Sequence, residues 1–94
     1  MIDSRASFGV TICPNLSTIY VAGGYILGEV SRKCERYSIV NDTWTPLPDM
    51  TEDKCSVSMC VLDNKYLYAF GGLSKLDGQI RLISTIERVD ILAN

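Results

Sequence analysis

The chain matches itself at an offset of about forty-nine residues. Ile19-Tyr20-Val21-Ala22-Gly23-Gly24 returns as Leu67-Tyr68-Ala69-Phe70-Gly71-Gly72. Cys34-Glu35-Arg36-Tyr37 returns as Ile86-Glu87-Arg88-Val89, and Arg5-Ala6-Ser7 as Lys54-Cys55-Ser56. A period near 50 marks one supersecondary unit written twice. Such a unit cannot bury its apolar surface alone, so it stacks on copies of itself.

The unit is built from strands. Alternating or β-rich runs occupy 6–13, 18–22, 34–40 and 43–47, and again 55–62, 66–70 and 84–91. Turn residues separate them. Pro14-Asn15 and Asp63-Asn64-Lys65 join the first strand of each unit to the second, and Asn41-Asp42 joins the third to the fourth. No segment offers a helix cap followed by a 3.6-residue apolar period, so the chain reads as all-β. Each unit runs strand, tight turn, strand ending in Gly-Gly, variable loop, strand, tight turn, strand. The first unit spans 3–50. The second, 51–94, stops after its third strand.

The order Gly23-Gly24, then Glu35-Arg36-Tyr37, then Trp44 with Leu47-Pro48-Asp49-Met50, resembles the kelch motif. The second copy carries Gly71, Gly72 and Glu87 but has no counterpart of Trp44 or Leu47-Pro48. The resemblance implies a kelch-type β-propeller segment, one four-stranded antiparallel blade plus a three-stranded partial blade. Small residues suit the crowded innermost strand: Ala6, Ser7 and Gly9 in one unit, Cys55, Ser56 and Ser58 in the other. The paired glycines fit a sharp bend with a close neighbour. Tyr37 and Trp44 are expected to supply blade-to-blade contact, with Trp44 fully buried. Glu35 and Glu87 lie in apolar strands and require partners, expected to be Arg36, Arg88 or backbone donors.

Composition narrows the function. The net charge is −2 and no Lys/Arg run exceeds Arg32-Lys33, which argues against nucleic acid or an anionic membrane as partner. No apolar stretch approaches the eighteen residues of a membrane span. The first residues lack the apolar core of a signal peptide, so the cytoplasm is the expected location. The four cysteines, spaced by twenty-one, twenty-one and five residues with no histidine anywhere, do not form a zinc pattern and read as reduced, small apolar residues. No cofactor and no metal are expected. Gly23-Gly24-Tyr25-Ile26-Leu27-Gly28 follows a strand, but a phosphate cradle needs a helix next, and here another strand follows. Asn15-Leu16-Ser17 and Asn41-Asp42-Thr43 fit the glycosylation pattern but fall in turns, where Asn is expected anyway. Asp49, Glu52 and Asp53 read as a solvated acidic loop. Without histidine or a nucleophile elbow, no catalytic set can be drawn, and the chain reads as a non-enzyme.

Binding residues are expected on the longer loops, because loops on a rigid scaffold carry recognition. Residues 25–33, 48–54 and 73–83 should emerge on one face of the ring. Tyr25, Arg32, Lys33, Lys54, Lys75 and Arg81 are the candidate anchors there, with Glu29 and Asp77 beside them. The kelch resemblance implies a protein partner, and a scaffold, cytoskeletal or ubiquitin-ligase substrate-receptor role in a parent protein. The alternative is a segment of a kelch-propeller enzyme, an oxidase or sugar-modifying enzyme, whose catalytic residues lie elsewhere. Propellers close with about four to eight blades. The two units therefore leave sheet faces uncovered. Further blades of a parent chain, self-association of several copies, or a lone two-sheet sandwich would each answer that.

Overall fold

A computed structural model describes residues 6–13, 16–63, 65–76 and 79–90. Pro14-Asn15, Asn64, Asp77, Ile91 and the Arg5 end of the repeat match lie outside them. In chain order the strands are β1 (Gly9–Cys13), β2 (Thr18–Ala22), β3 (Tyr25–Ile26), β4 (Glu29–Val30), β5 (Cys34–Ser38) and β6 (Thr43–Leu47). They continue as β7 (Ser58–Leu62), β8 (Tyr66–Phe70), β9 (Leu73–Leu76), β10 (Gln79–Leu82) and β11 (Ile86–Asp90). The first unit is a four-stranded antiparallel sheet in the order β1-β2-β5-β6, and the second a three-stranded sheet in the order β11-β8-β7. Among the described residues no helix is long and apolar enough to cross a membrane.

The two sheets lie face to face, with β1 against β7. Register decides which side chains meet. Cys13, Thr18, Tyr20, Ala22, Cys34 and Leu47 share one side of the first sheet through the pairs Cys13↔Thr18, Ala22↔Cys34 and Cys34↔Leu47. Met59, Val61, Leu67, Ala69 and Val89 share one side of the second. These two sides, with Met50 and Val57, form the core, and Tyr20 and Leu67 are almost wholly buried. Gly9 explains how close the innermost strands come: a Cβ there would sit 2.8 Å from Met59 Sδ and from the Val57 carbonyl oxygen. Cys13, Cys34 and Cys55 are buried, and none of the three is in a disulfide.

Four expected strands are shorter than their β-rich runs. Ser7 and Ser56 occupy the same place in each repeat with φ of 52° and 53°, which breaks the extended backbone. β1 and β7 therefore start at Gly9 and Ser58, while Ala6 and Cys55 form isolated bridges to Tyr25 and Leu73. β5 stops at Ser38, because the Ser38 hydroxyl accepts the Asn41 amide and the chain turns through Asp42, leaving Ile39 and Val40 outside the sheet. Ser84 and Thr85 precede β11.

The largest correction concerns the two loops after the paired glycines, expected to be irregular. Each is a hairpin, β3–β4 and β9–β10. Leu27 and Gly28 both have positive φ, 54° and 82°, as a two-residue hairpin loop of matching twist demands. The glycine doublets sit where β2 and β8 end, and each hairpin starts directly after its pair. Gly24 has φ +91°, and a Cβ there would come within 2.5 Å of the Ala6 carbonyl oxygen. Gly24→Ala is therefore expected to cost about 1–3 kcal/mol in strain, read as a lower urea midpoint at unchanged slope.

Trp44 also differs from expectation. It lies on the outer strand β6, paired across from Tyr37, with ring centroids 4.9 Å apart, and it is only half-buried. Tyr20, on the side facing the second sheet, fills the buried aromatic position instead.

Candidate functional site

The crossing from β6 to β7 builds one end of the molecule. This segment runs over the base of the β3–β4 hairpin and is stitched to it by backbone bonds. The Met50 amide donates to the Arg32 carbonyl (2.8 Å), the Lys54 amide to the Ser31 carbonyl (3.0 Å), and the Gly24 amide to the Lys54 carbonyl (2.9 Å). The Ser56 amide then donates to the Ser7 carbonyl of the first unit at 2.7 Å. The two hairpins therefore stand side by side, and their repeat-equivalent bridges Ala6↔Tyr25 and Cys55↔Leu73 fix both at the same end of the sheets.

A cleft of about 380 Å³ lies between the hairpins, lined by Tyr25, Gly28, Glu29, Val30, Asp53 and Lys75. A shallower recess of about 280 Å³ beside it is lined by Ile26, Glu29, Val30, Ser31, Arg32, Lys33, Asp49 and Asp53. Four of the six expected anchors thus line one region: Tyr25, Arg32, Lys33 and Lys75. The Tyr25 phenol is pushed above its ordinary pKa, first by its hydrogen bond with the Cys55 thiol.

Arg32 and Arg81 are exposed but engaged. Arg32 Nε lies 2.9 Å from Asp53 Oδ1, and Arg81 a longer 3.7 Å from Glu52 Oε2. The Thr85 hydroxyl also donates to Glu52 at 3.0 Å. The acidic loop expected to be merely solvated ties both hairpin bases to the crossing segment. Exposed pairs of this kind contribute little to stability, so their role is to set loop position.

Lys54 departs from expectation altogether. Its side chain has no solvent exposure, and its Nζ lies 2.7 Å from Glu87 Oε2. Glu87 Oε1 accepts the Thr51 amide at 2.6 Å. Burial pushes the Glu87 carboxyl up, but the Lys54 ammonium and the Thr51 amide more than offset this, and the group titrates below its ordinary value. The partners of Glu87 are thus Lys54 and a backbone donor. Arg88, next to it in β11, points to the opposite side and lies over the Tyr66 ring at 4.7 Å. Glu35, the equivalent residue of the first unit, is also buried.

Sequence reasoning missed the apolar tips. Leu27 is 98% exposed at the point of the first hairpin, and Ile80 and Leu82 on β10 are 71% and 86% exposed. A leucine held in left-handed backbone with no burial is the one signal that could have marked this, and it needs the hairpin to be recognised first. The cleft thus has residues of both hairpins in its walls, charged Glu29, Asp53 and Lys75 among its lining, and exposed apolar side chains on the same hairpins. Such a surface suits the polar and apolar groups of another macromolecule.

Stacked antiparallel sheets, a repeat of about fifty residues, and glycine doublets at the hairpin bases define a β-propeller segment of repeat type. The kelch motif matches residues 4–51, and the chain belongs to the kelch-repeat family. Among its relatives is the kelch repeat and BTB domain-containing protein 2 of ectromelia virus (strain Moscow), 36% identical over 91 residues, covering 97% of this chain and 16% of that protein. The protein of the same name from cowpox virus (strain GRI-90 / Grishak) is 40% identical over 72 residues, 77% of this chain and 12% of that protein. The horsepox virus protein of that name is 38% identical over 72 residues, 77% of this chain and 13% of its own length. The chain spans 16% or less of the curated relatives described here.

Proposed function

We propose that the chain is a protein-interaction module and that the twin-hairpin end is its contact surface. The observation that carries this is the exposure of Leu27, Ile80 and Leu82, 98%, 71% and 86%, on the two hairpins that line a charged cleft. Exposed apolar side chains gathered at one end of a fold are a mark of an interaction surface. Tyr25, Arg32, Lys33, Lys75 and Arg81 supply the polar contacts around them. Lys54 acts from beneath, holding the crossing segment in place.

The finer reading divides the chain into units at 3–50 and 51–94 and sets both within a longer propeller. Its relatives' names couple kelch repeats with a BTB domain, which fits a parent protein where this segment holds the partner and another domain acts on it. A scaffold or a ubiquitin-ligase substrate receptor would use it so. Buried cysteines at 13, 34 and 55 that form no disulfide fit a reducing, cytoplasmic setting.

The test exchanges Leu27, Ile80 and Leu82 together for serine and measures partner affinity by titration calorimetry. A loss of about tenfold or more, with the far-ultraviolet circular dichroism unchanged, is the expected result. Unchanged affinity would discard the hairpin face.

A further inference from the structure

We infer that the outer edge of β10 takes up an extended segment of a partner protein as an added β-strand; this rests on the reading of the twin-hairpin end as a contact surface. The direction of the backbone groups carries it. The Cys55 amide donates to the Leu73 carbonyl at 2.8 Å, and the Leu73 amide to the Cys55 carbonyl at 2.9 Å. Both polar groups of Leu73 therefore point away from β10. Bonded and non-bonded pairs alternate along an antiparallel ladder. Leu73↔Leu82 and Lys75↔Ile80 are thus the non-bonded pairs, and Ile80 and Leu82 turn their N–H and C=O groups outward. These groups meet no backbone partner among the described residues. The two residues stand about 6.8 Å apart, the side-to-side repeat of an extended chain. Donors and acceptors in such a row are matched by another extended backbone.

The side chains set the chemistry of the occupant. Every residue of β10 is exposed. Ile80 and Leu82 lie on one face of the hairpin and Arg81 on the other. Arg81 is held 3.7 Å from Glu52 Oε2, beyond hydrogen-bond reach, with its side chain half in water. Its guanidinium can therefore donate to a second carboxylate. The segment that fits carries apolar residues two positions apart, opposite Ile80 and Leu82, and an acidic residue between them, opposite Arg81.

A following propeller unit would leave this edge open. The first unit demonstrates it, because its successor lies in the chain. The successor's crossing segment bonds to Gly24, Ser31 and Arg32 at the base of the first hairpin. The Val30 amide and carbonyl, turned outward from β4 in the same way, meet no backbone partner among the described residues. Equivalent bonds, the Ser31 amide to the Gly24 carbonyl and the Ile83 amide to the Gly72 carbonyl, match Val30 with Leu82. Beyond that level the second hairpin runs further, with strands of 4 residues against 2, and Ile80 has no counterpart in the first. A crossing segment placed like the first would bond at the hairpin base and not along β10.

The test pans a randomised peptide display library on the full chain and measures the recovered peptides by fluorescence anisotropy. Enrichment of apolar residues two apart around an acidic one is the expected result. Methylating the peptide amides then reads the backbone directly. One alternating set of amides faces β10, and its methylation is expected to weaken binding about tenfold or more, while the other set, facing away, tolerates it. On the protein, Ile80→Pro deletes an outward donor and leaves the bonds to β9 in place. It is expected to bind about fivefold more weakly than Ile80→Ser, which lacks the same side chain but keeps the amide. Equal losses from the two methylated sets, or equal binding by the two Ile80 variants, overturn strand addition. A library that yields no binder does the same, as does a dimer of the chain that Ile80→Pro dissolves, which would assign the edge to a second copy. The contact surface itself is judged separately: peptide binding untouched when Leu27, Ile80 and Leu82 are all serine discards the hairpin face, whereas loss there with indifference to methylation keeps the face and rejects the added strand.

Discussion

Replacing Lys54 by alanine is expected to cost about 3–5 kcal/mol of stability, because breaking a buried ion pair from one side leaves the other charge uncompensated. Lys54 Nζ is 2.7 Å from Glu87 Oε2 and out of contact with water, and the carboxylate keeps only the Thr51 amide once the ammonium is gone. Exchanging both partners for apolar residues, Lys54→Met with Glu87→Leu, is expected to restore most of the loss. Urea unfolding of the two single variants and the double closes the cycle. A loss under about 1 kcal/mol for Lys54→Ala would place the pair in solvent rather than in the interior. Acid provides an independent reading. The folded-state pKa of Glu87 is lowered, so the ionised form is the stabilising one. Its contribution is complete above the unfolded value of about 4.3 and is lost as the pH falls through the lower folded value. Glu87→Gln should therefore flatten the acid limb of the stability profile below about pH 4 while lowering stability at neutral pH.

Tyr20→Ala is expected to cost a similar 3–5 kcal/mol or so, the range for emptying a buried aromatic site. Tyr20 is 2% exposed in the seam between the sheets. Burial is also the first cause that raises its phenol pKa, with the Cys13 charge adding and Arg36 and Thr18 opposing. Trp44→Ala is expected to cost only about 1–2 kcal/mol, because a half-buried ring against Tyr37 surrenders much less apolar area. Thermal unfolding ranks the two directly. If Trp44→Ala proved the more damaging, the outer strand and not the sheet-to-sheet seam would carry the packing.

The strands were legible because their cause is local. Period-two alternation at 18–22 and 66–70, bounded by turn residues and glycine doublets, leaves few alternatives to extended backbone. Strand ends were less legible. Ser7 and Ser56 take left-handed φ for reasons no propensity scale carries, and β1 and β7 lose their first residues as a result. The first hairpin went unread because Leu27 is not a residue that announces a positive-φ turn, while Asp77-Gly78 between the strands of the second is a hairpin signal that was legible and passed over.

For the site, charge alone could not separate Lys54 from Lys75. Both are lysines in connecting segments; one is fully buried and the other exposed at the cleft. The difference lies in Glu87, thirty-three positions further on, which reaches Lys54 only once β11 pairs with β8. The exposed arginines were legible as surface residues, whereas their pairing with Glu52 and Asp53 was not.

By itself the sequence determined that the chain is a twofold-repeated β-unit of kelch type, because periodicity and turn chemistry act between neighbours along the backbone. Only the tertiary structure decided which residues are inside. Burial is set by which faces the strand register turns toward each other: it drew the Lys54 side chain inside against Glu87, left Trp44 half in water and put Leu27 at the exposed tip of its hairpin.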